Sequence, residues 1–303
     1  MSFYRFAQGV VRIVARMKYK LRLEGLDNVP SDRGFLLCSN HVSNFDPILV
    51  GGWIQPECTF MAKEELFRFK PFGALIRAHA RSQGSKVAIV CGGLHIDYAG
   101  LDAAMDRIAA ALQREGVAAQ QPIAIVGGNS LAVALVFLGA LRAGAVPAPL
   151  ATSATPGQLA AMVADSGARI LFHDGAHPGF AAAARTVSLD ALDTWMAPEG
   201  ACPIPVAIGP DDPFNLIYSS GTTGTPKGIV QPQSMRWVHI ARAPAGFATA
   251  VTMVATPLYS NTSLVSFLPT LGWGGTAVLL PRFDAREFLQ AAEQHRATIA
   301  MLV

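Results

Sequence analysis

One stretch of eleven residues concentrates the polar chemistry of this chain: Tyr218-Ser-Ser-Gly-Thr-Thr-Gly-Thr-Pro-Lys-Gly228. Its glycines, Gly221, Gly224 and Gly228, let the backbone turn so that successive N–H groups face one anion. The hydroxyls of Ser219, Ser220, Thr222 and Thr223 add donors, Thr225 follows them, and Lys227 supplies a cation. Donors and a cation at this density suit a polyphosphate. The pattern is not a Walker A loop, which needs a glycine just before the lysine and Ser or Thr just after; Pro226 and Gly228 stand there. A flexible, hydroxyl-rich turn is the plain alternative, and a poor match to eleven positions at once.

The second candidate is Ser39-Asn-His-Val-Ser-Asn-Phe-Asp-Pro47. A carboxylate one helical turn from an imidazole can fix its tautomer and support it as a general base, so His41 and Asp46 form a possible catalytic pair. The same spacing also arises from a helix N-cap. His79, His95, His173, His177, His239 and His295 form no ligand cluster. Asp174-Gly175 between His173 and His177 signals a turn, and zinc needs three or four ligands, so no metal site is expected. Cys38, Cys58, Cys91 and Cys202 lie far apart and read as reduced thiols of a cytoplasmic protein.

These residues need elements to hold them. Hydrophobic residues make up 51% of the 303 positions, which excludes intrinsic disorder. From residue 86 onward strand and helix patterns alternate. Strands are predicted at 86–90, 122–126, 145–150, 169–172, 214–218, 251–255, 276–280 and 298–303. Helices are predicted at 98–115, 131–142, 156–166, 233–243, 264–271 and 284–294. Such alternation implies an α/β fold with a doubly wound parallel sheet. The loop 219–228 would then protrude at the C-terminal end of the parallel strand 214–218, where such sheets place ligands. The segment 176–210, rich in Ala, Pro and Gly, carries the weakest signal for regular structure. No charge occurs between Arg242 and Arg282, but prolines, glycines and Ser260-Asn261-Thr262-Ser263 cut this stretch into pieces too short to span a membrane.

Charge is uneven. Residues 1–80 hold 11 Lys and Arg against 7 Asp and Glu, whereas the remainder holds 13 against 14. Arg5, Arg12, Arg16, Lys18, Lys20 and Arg22 meet no acid before Glu24, and Phe3, Phe6, Val10, Ile13, Val14 and Met17 recur at helical spacing. This is a basic amphipathic helix, suited either to an anionic membrane surface or to packing on its own domain with a solvated basic face. So local an excess argues against nucleic-acid binding by the whole protein.

Residues 80–303 resemble the adenylate-forming enzymes: acyl-CoA synthetases, luciferases and adenylation domains. The phosphate-loop segment carries the resemblance most strongly. It is joined by Lys86-Val-Ala-Ile-Val90, Asp97-Tyr-Ala-Gly-Leu-Asp102, Gly127-Gly-Asn-Ser130 and Leu141-Arg-Ala-Gly-Ala-Val-Pro147. The resemblance implies an ATP-dependent ligase that converts a carboxylic or fatty acid to an acyl-adenylate and passes it to coenzyme A or an acyl carrier protein, with Mg2+. On it, Ser219, Ser220, Gly221, Thr222, Thr223, Gly224, Thr225, Lys227 and Gly228 would hold the β- and γ-phosphates, and Thr256-Pro-Leu-Tyr-Ser260 would lie beside the acyl pocket. That family often has His where this chain has Ser260.

Residues 1–77 resemble the glycerophospholipid acyltransferases. The matching segments are Leu21-Arg-Leu-Glu-Gly-Leu-Asp-Asn-Val-Pro30, Gly34-Phe-Leu-Leu-Cys-Ser-Asn-His41, Phe60-Met-Ala-Lys-Glu-Glu-Leu-Phe67 and Pro71-Phe-Gly73. The resemblance implies that His41 deprotonates a glycerol hydroxyl, which attacks an acyl thioester, while Asp46 orients His41. Two domains are therefore expected, 1–77 and 78–303, the first a partial α/β acyltransferase segment and the second the N-terminal part of an adenylate-forming domain. The adenine and magnesium segment, ribose aspartate and mobile lysine-bearing domain that the ligase resemblance calls for do not occur within 1–303. The expectation is thus an incomplete, inactive chain in the cytoplasm, peripheral to the inner face of the membrane. The alternatives are an acyltransferase, or a non-catalytic membrane-associating fragment.

Overall fold

The computed structural model describes residues 3–30, 46–54, 69–177, 185–219, 227–243 and 245–302. Two compact units divide between Lys63 and Glu64.

In the first unit, α1 (Phe3–Lys18) is held to α2 (Asp46–Trp53) at the C-terminal end of α2, where carbonyls lack helical partners. Gln8 Nε2 donates to Gly51 O (2.8 Å) and Ile54 O (3.0 Å), and Arg12 Nε donates to Gly52 O (2.6 Å). An amide and a cation there satisfy orphan carbonyls and complement the helix dipole. Gln8 and Ala15 are buried, while Val10, Ile13, Val14 and Met17 are exposed, Met17 by 81%. The expected amphipathic helix is present: Ala15 packs inward, while Val10, Ile13, Val14 and Met17 face solvent. His41 lies outside the described residues. Asp46 opens α2, and its side chain is outside the described residues too.

The second unit runs α3 (Phe72–Gln83), β1 (Val87–Cys91), β2 (Leu94–Asp97), α4 (Tyr98–Arg114), β3 (Pro122–Val126), α5 (Leu131–Arg142), β4 (Val146–Leu150), α6 (Pro156–Ser166), β5 (Ile170–His173), β6 (Arg185–Ser188) and a short α7 (Leu192–Trp195). It continues with β7 (Pro213–Ser219), β8 (Lys227–Pro232), α8 (Gln233–Ala241), β9 (Val251–Val254), α9 (Asn261–Trp273), β10 (Thr276–Leu279), α10 (Ala285–Gln294) and β11 (Ile299–Ala300). Side-chain caps set several starts. Asp97 accepts from Gly100 N, Ser130 from Val133 N, and Asp284 from Arg286 N and Glu287 N. Thr155 and Gln158 form a capping box with Pro156 at the first helical position.

The architecture is α/β with parallel sheets, as the alternation implies, but the strands divide over two sheets and a ribbon. One sheet has the order β11-β9-β10-β1-β2, parallel except for β2, which returns antiparallel on β1. The other, β4-β3-β5-β6, is wholly parallel. The strand expected at 214–218 as a member of a parallel sheet is instead β7 of an antiparallel ribbon with β8. The cause is the connection: a parallel return needs a crossover of about a dozen residues or more, and the segment 220–226 is too short to make one.

The core is built on α4 and α5. Leu101, Met105, Ile108 and Leu112 of α4 are fully buried, as are Val136, Leu138 and Ala140 of α5. The two helices approach at Gly139, where a Cβ would stand 2.5 Å from Ile108 Cγ2. A charged cluster ties α3 to this pair. Arg142 bonds Asp102 and Asp106 and donates to Gly73 O (3.0 Å), while Arg77 Nη2 reaches Asp106 Oδ2 at 2.6 Å. The uncharged stretch after Arg242 becomes β9, α9 and β10, mostly buried. Among the described residues no helix is long and apolar enough to cross a membrane.

Candidate nucleotide-binding site

The ribbon β7–β8 holds the two described ends of the segment 218–228. In its register Tyr218 faces Gly228 and Ser219 faces Lys227, so the polar stretch begins and ends on paired residues at the open end. Ser219, Lys227 and Gly228 are exposed there, available to a solvent-borne anion. Ser220, Gly221, Thr222, Thr223, Gly224 and Thr225 lie outside the described residues.

The root of the ribbon is fixed. Leu216 packs with Val146 and Ala148 of β4. The Tyr218 hydroxyl donates to Asp165 Oδ2 (2.7 Å) and shares its proton with Met162 O (3.0 Å), both on α6. Burial, followed by the neighbouring Asp165 charge, pushes the phenol well up, so Tyr218 stays a neutral donor. At Gly228 a Cβ would come 2.9 Å from Leu216 Cδ2 and 3.2 Å from Tyr218 Oη, so any larger residue opposite the tyrosine would displace the Leu216 side chain.

Beyond the ribbon, one buried amide gathers three loops. Asn129, between β3 and α5, donates through Nδ2 to Thr256 O (2.9 Å) and Leu280 O (3.1 Å), and its Oδ1 accepts from Leu258 N (2.9 Å). These groups follow the C-terminal ends of β3, β9 and β10, where parallel sheets place ligand sites. Thr256-Pro-Leu-Tyr-Ser260 is thus held in place from within. Ser263 Oγ reinforces it, bonding Thr256 O (2.8 Å) and Pro257 O (2.7 Å), and Ser260 caps α9.

At the same end of the four-stranded sheet, Asp174 Oδ2 accepts from Gly128 N (3.0 Å), and its Oδ1 lies 2.6 Å from His177 Nδ1. His177 Nε2 is 3.2 Å from Thr152 O. His177 therefore pairs with a carboxylate, not with His173. Burial works to raise the Asp174 carboxyl, but the bonds from His177 and Gly128 outweigh it and leave it below its ordinary value. Among the described residues no group of His, Cys, Asp and Glu is arranged to hold a metal ion.

Sequence reasoning singled out the loop and overlooked Asn129 and the Asp174–His177 pair. Gly127-Gly-Asn-Ser130 contained the signal for the first, a polar residue between a strand and a cap.

Comparison with known proteins identifies the group. The model of the family described as AMP-binding enzyme matches residues 76–303, more than half of the chain. The chain belongs to the AMP-binding enzyme family. A short match to the acyltransferase family covers residues 20–84. A feruloyl-CoA synthase of Amycolatopsis sp. is 33% identical over 227 residues, covering 73% of this chain and 46% of that protein. An indoleacetate–CoA ligase of Aromatoleum aromaticum is 31% identical over 250 residues, covering 75% and 48%. The chain thus spans about half the length of the curated relatives it matches. Among solved structures, the N-terminal domain of FACL13 from Mycobacterium tuberculosis superposes with a TM-score of 0.68 at 21% identity, covering 76% of this chain and 62% of that one. That likeness bears on the fold, which is that of the N-terminal domain of adenylate-forming enzymes.

Proposed function

We propose that this chain serves an ATP-dependent acid–thiol ligase, one that activates a carboxylic acid as its adenylate and transfers the acyl group to coenzyme A or an acyl carrier protein. The observation that carries this reading is the anchored ribbon, whose exposed end brings Ser219 and Lys227 together. In this reading Ser219, Ser220, Gly221, Thr222, Thr223, Gly224, Thr225, Lys227 and Gly228 offer hydroxyl and backbone donors to the β- and γ-phosphates. The Lys227 ammonium balances their charge, and bound Mg2+ supplies further neutralisation at the phosphates. Relatives named for ferulate and indoleacetate, and the fatty-acid ligase FadD13 of Mycobacterium tuberculosis, support a carboxylic acid with an apolar body as the substrate. Thr256–Ser260 borders the acyl group in this reading.

The test is ATP binding by the full chain and by Lys227→Ala, together with hydroxamate trapping of acyl-adenylate across carboxylates of increasing length. A charge-assisted hydrogen bond is worth about 1.5–3 kcal/mol, so the variant should bind ATP about 10–150-fold more weakly. Equal ATP affinity in the two proteins would remove the loop from the site.

The short acyltransferase match favours a second activity, in residues 1–77 and separate from the ligase of 78–303. There His41 would act as general base on a glycerol hydroxyl, oriented by Asp46, with an acyl thioester as donor. A thioester is what the ligase produces, so the two activities would run in series. Substitution of His41 by Ala should abolish acyl transfer and leave ATP binding unchanged. The exposed Val10, Ile13, Val14 and Met17 on a helix carrying Arg12, Arg16 and Lys18 support contact of residues 1–22 with an anionic membrane surface. Binding should favour anionic over neutral vesicles and weaken with salt. Equal binding to both kinds of vesicle would refute the electrostatic part of this reading.

A further inference from the structure

Arg236 is the largest fully buried side chain among the described residues, with 1% of its surface exposed. It projects from α8 between β7 and α9. Its Nε donates to Asn215 Oδ1 (3.1 Å) and its Nη1 to Asn261 Oδ1 (2.9 Å). Both acceptors are neutral amides. Its Nη2 has no hydrogen-bond partner, and neither has Nδ2 of Asn215, which is itself fully buried. Buried guanidinium groups are ordinarily met by a carboxylate, because an uncompensated charge in the interior is costly. Among the described residues none faces this one: burial pulls the guanidinium down to about 10, still charged at neutral pH.

The neighbouring titratable group does not help. His239, one turn along α8, has an unpaired Nδ1, and burial together with the Arg236 and Arg242 charges pushes its imidazole down, so it is neutral. The Nε–H of a guanidinium and one Nη2–H leave the same edge of the plane. Nδ2 of Asn215 shares its carbon with the oxygen that meets Nε. Both orphan donors thus belong to one hydrogen-bonded Arg236–Asn215 pair, which carries one positive charge and, among the described residues, meets no acceptor at either group. The burial of both side chains limits a ligand to a small one, and the single charge asks for one negative charge.

We propose that Arg236 and Asn215 form a buried anion site that takes a small monovalent anion, a carboxylate or a halide, between Nη2 of Arg236 and Nδ2 of Asn215. The anion completes a link from the ribbon that carries the phosphate loop, through Arg236, to the first turn of α9. This site is separate from the nucleotide reading and does not depend on it.

The experiment is thermal unfolding of the full chain at constant ionic strength, with sodium gluconate, too bulky to enter, replaced stepwise by sodium chloride or sodium formate. The Tm should rise saturably, by about 3–6 °C at ten times the dissociation constant. A rise with chloride alone assigns a halide, and a rise with formate assigns a carboxylate. Asn215→Asp places an anion on Arg236 from within, so it should raise the Tm in gluconate and abolish the response to either salt. Arg236→Met should also abolish the response, and if it fails to fold, Asn215→Asp carries the test. A wild-type Tm unchanged among the three salts, or an equal response in the variants, would overturn the site.

Discussion

Replacing Asn129 tests whether one amide holds the site end of the fold together. Its side chain makes three hydrogen bonds to backbone groups of two separate segments, 256–258 and Leu280, and is 5% exposed. In Asn129→Ala the N–H of Leu258 and the carbonyls of Thr256 and Leu280 lose their partner. At about 1 kcal/mol for each bond, the expected loss is about 3 kcal/mol. For a domain of this size that corresponds to a fall in Tm of about 6–12 °C. Asn129→Asp separates hydrogen bonding from shape. One carboxylate oxygen can still accept from Leu258 N, but the other would face two carbonyl oxygens. Such a carboxyl is protonated more readily in the folded than in the unfolded chain, so its folded value rises above the ordinary 3.9. Destabilisation should then grow as pH rises above the unfolded value and ease in acid, where a protonated carboxyl can donate to one carbonyl. Urea unfolding at pH 5 and pH 8 reads both effects. A loss under about 1 kcal/mol for the alanine variant, or an aspartate variant equal to wild type at pH 8, would refute the reasoning.

The close approach of α4 and α5 predicts that Gly139→Ala costs about 1–3 kcal/mol, since its Cβ would strike Ile108. Adding Ile108→Ala should give a double variant that loses less than the sum of the two single changes in a denaturant double-mutant cycle. The lowered Asp174 carboxyl contributes stability that is present above its unfolded value and lost as pH falls through its folded one. Asp174→Asn should therefore be less stable than wild type at neutral pH, and the gap should close in acid unfolding experiments.

Where local chemistry decides an element, the sequence was legible. Strand Pro122–Val126 and helices Leu131–Arg142 and Pro156–Ser166 match their predicted bounds. A proline, a serine cap and a threonine capping box mark their starts. The hairpin β1–β2 went unread although Gly92-Gly93 between two apolar runs is a hairpin signal, and Gly92 adopts φ +59°. Strand β8 went unread because Lys227 and Gly228 were taken only as loop chemistry. Strand β6 went unread because the polar run Arg185–Ser188 lies in a segment dominated by Ala, Pro and Gly. The segment 219–228 stands out in the sequence because its donors are contiguous. Asn129 and Arg236 do not, because each acquires its partners from segments distant in sequence; the local Asp174–His177 pair was hidden because Asp174-Gly175 signals only a turn. Two sheets instead of one were likewise beyond reach, since alternation reports the class of connection but not which strands pair.

The charged cluster around Arg142 ties α3 to the helices that follow it. Helix α3 contributes Arg77, and the chain just inside its start contributes the Gly73 carbonyl; Phe72 and Ile76 on the same helix are buried in the main core. A cut at 77, where one family resemblance gives way to the other, would carry off that cation, that acceptor and those two apolar side chains together. Arg142 would then face Asp102 and Asp106 alone, one positive charge against two negative ones. A cut between Lys63 and Glu64 spares all of them. The end of the first resemblance at 77 and the division between the two compact units at Lys63 and Glu64 are therefore different places, and α3 is by its contacts part of the second unit.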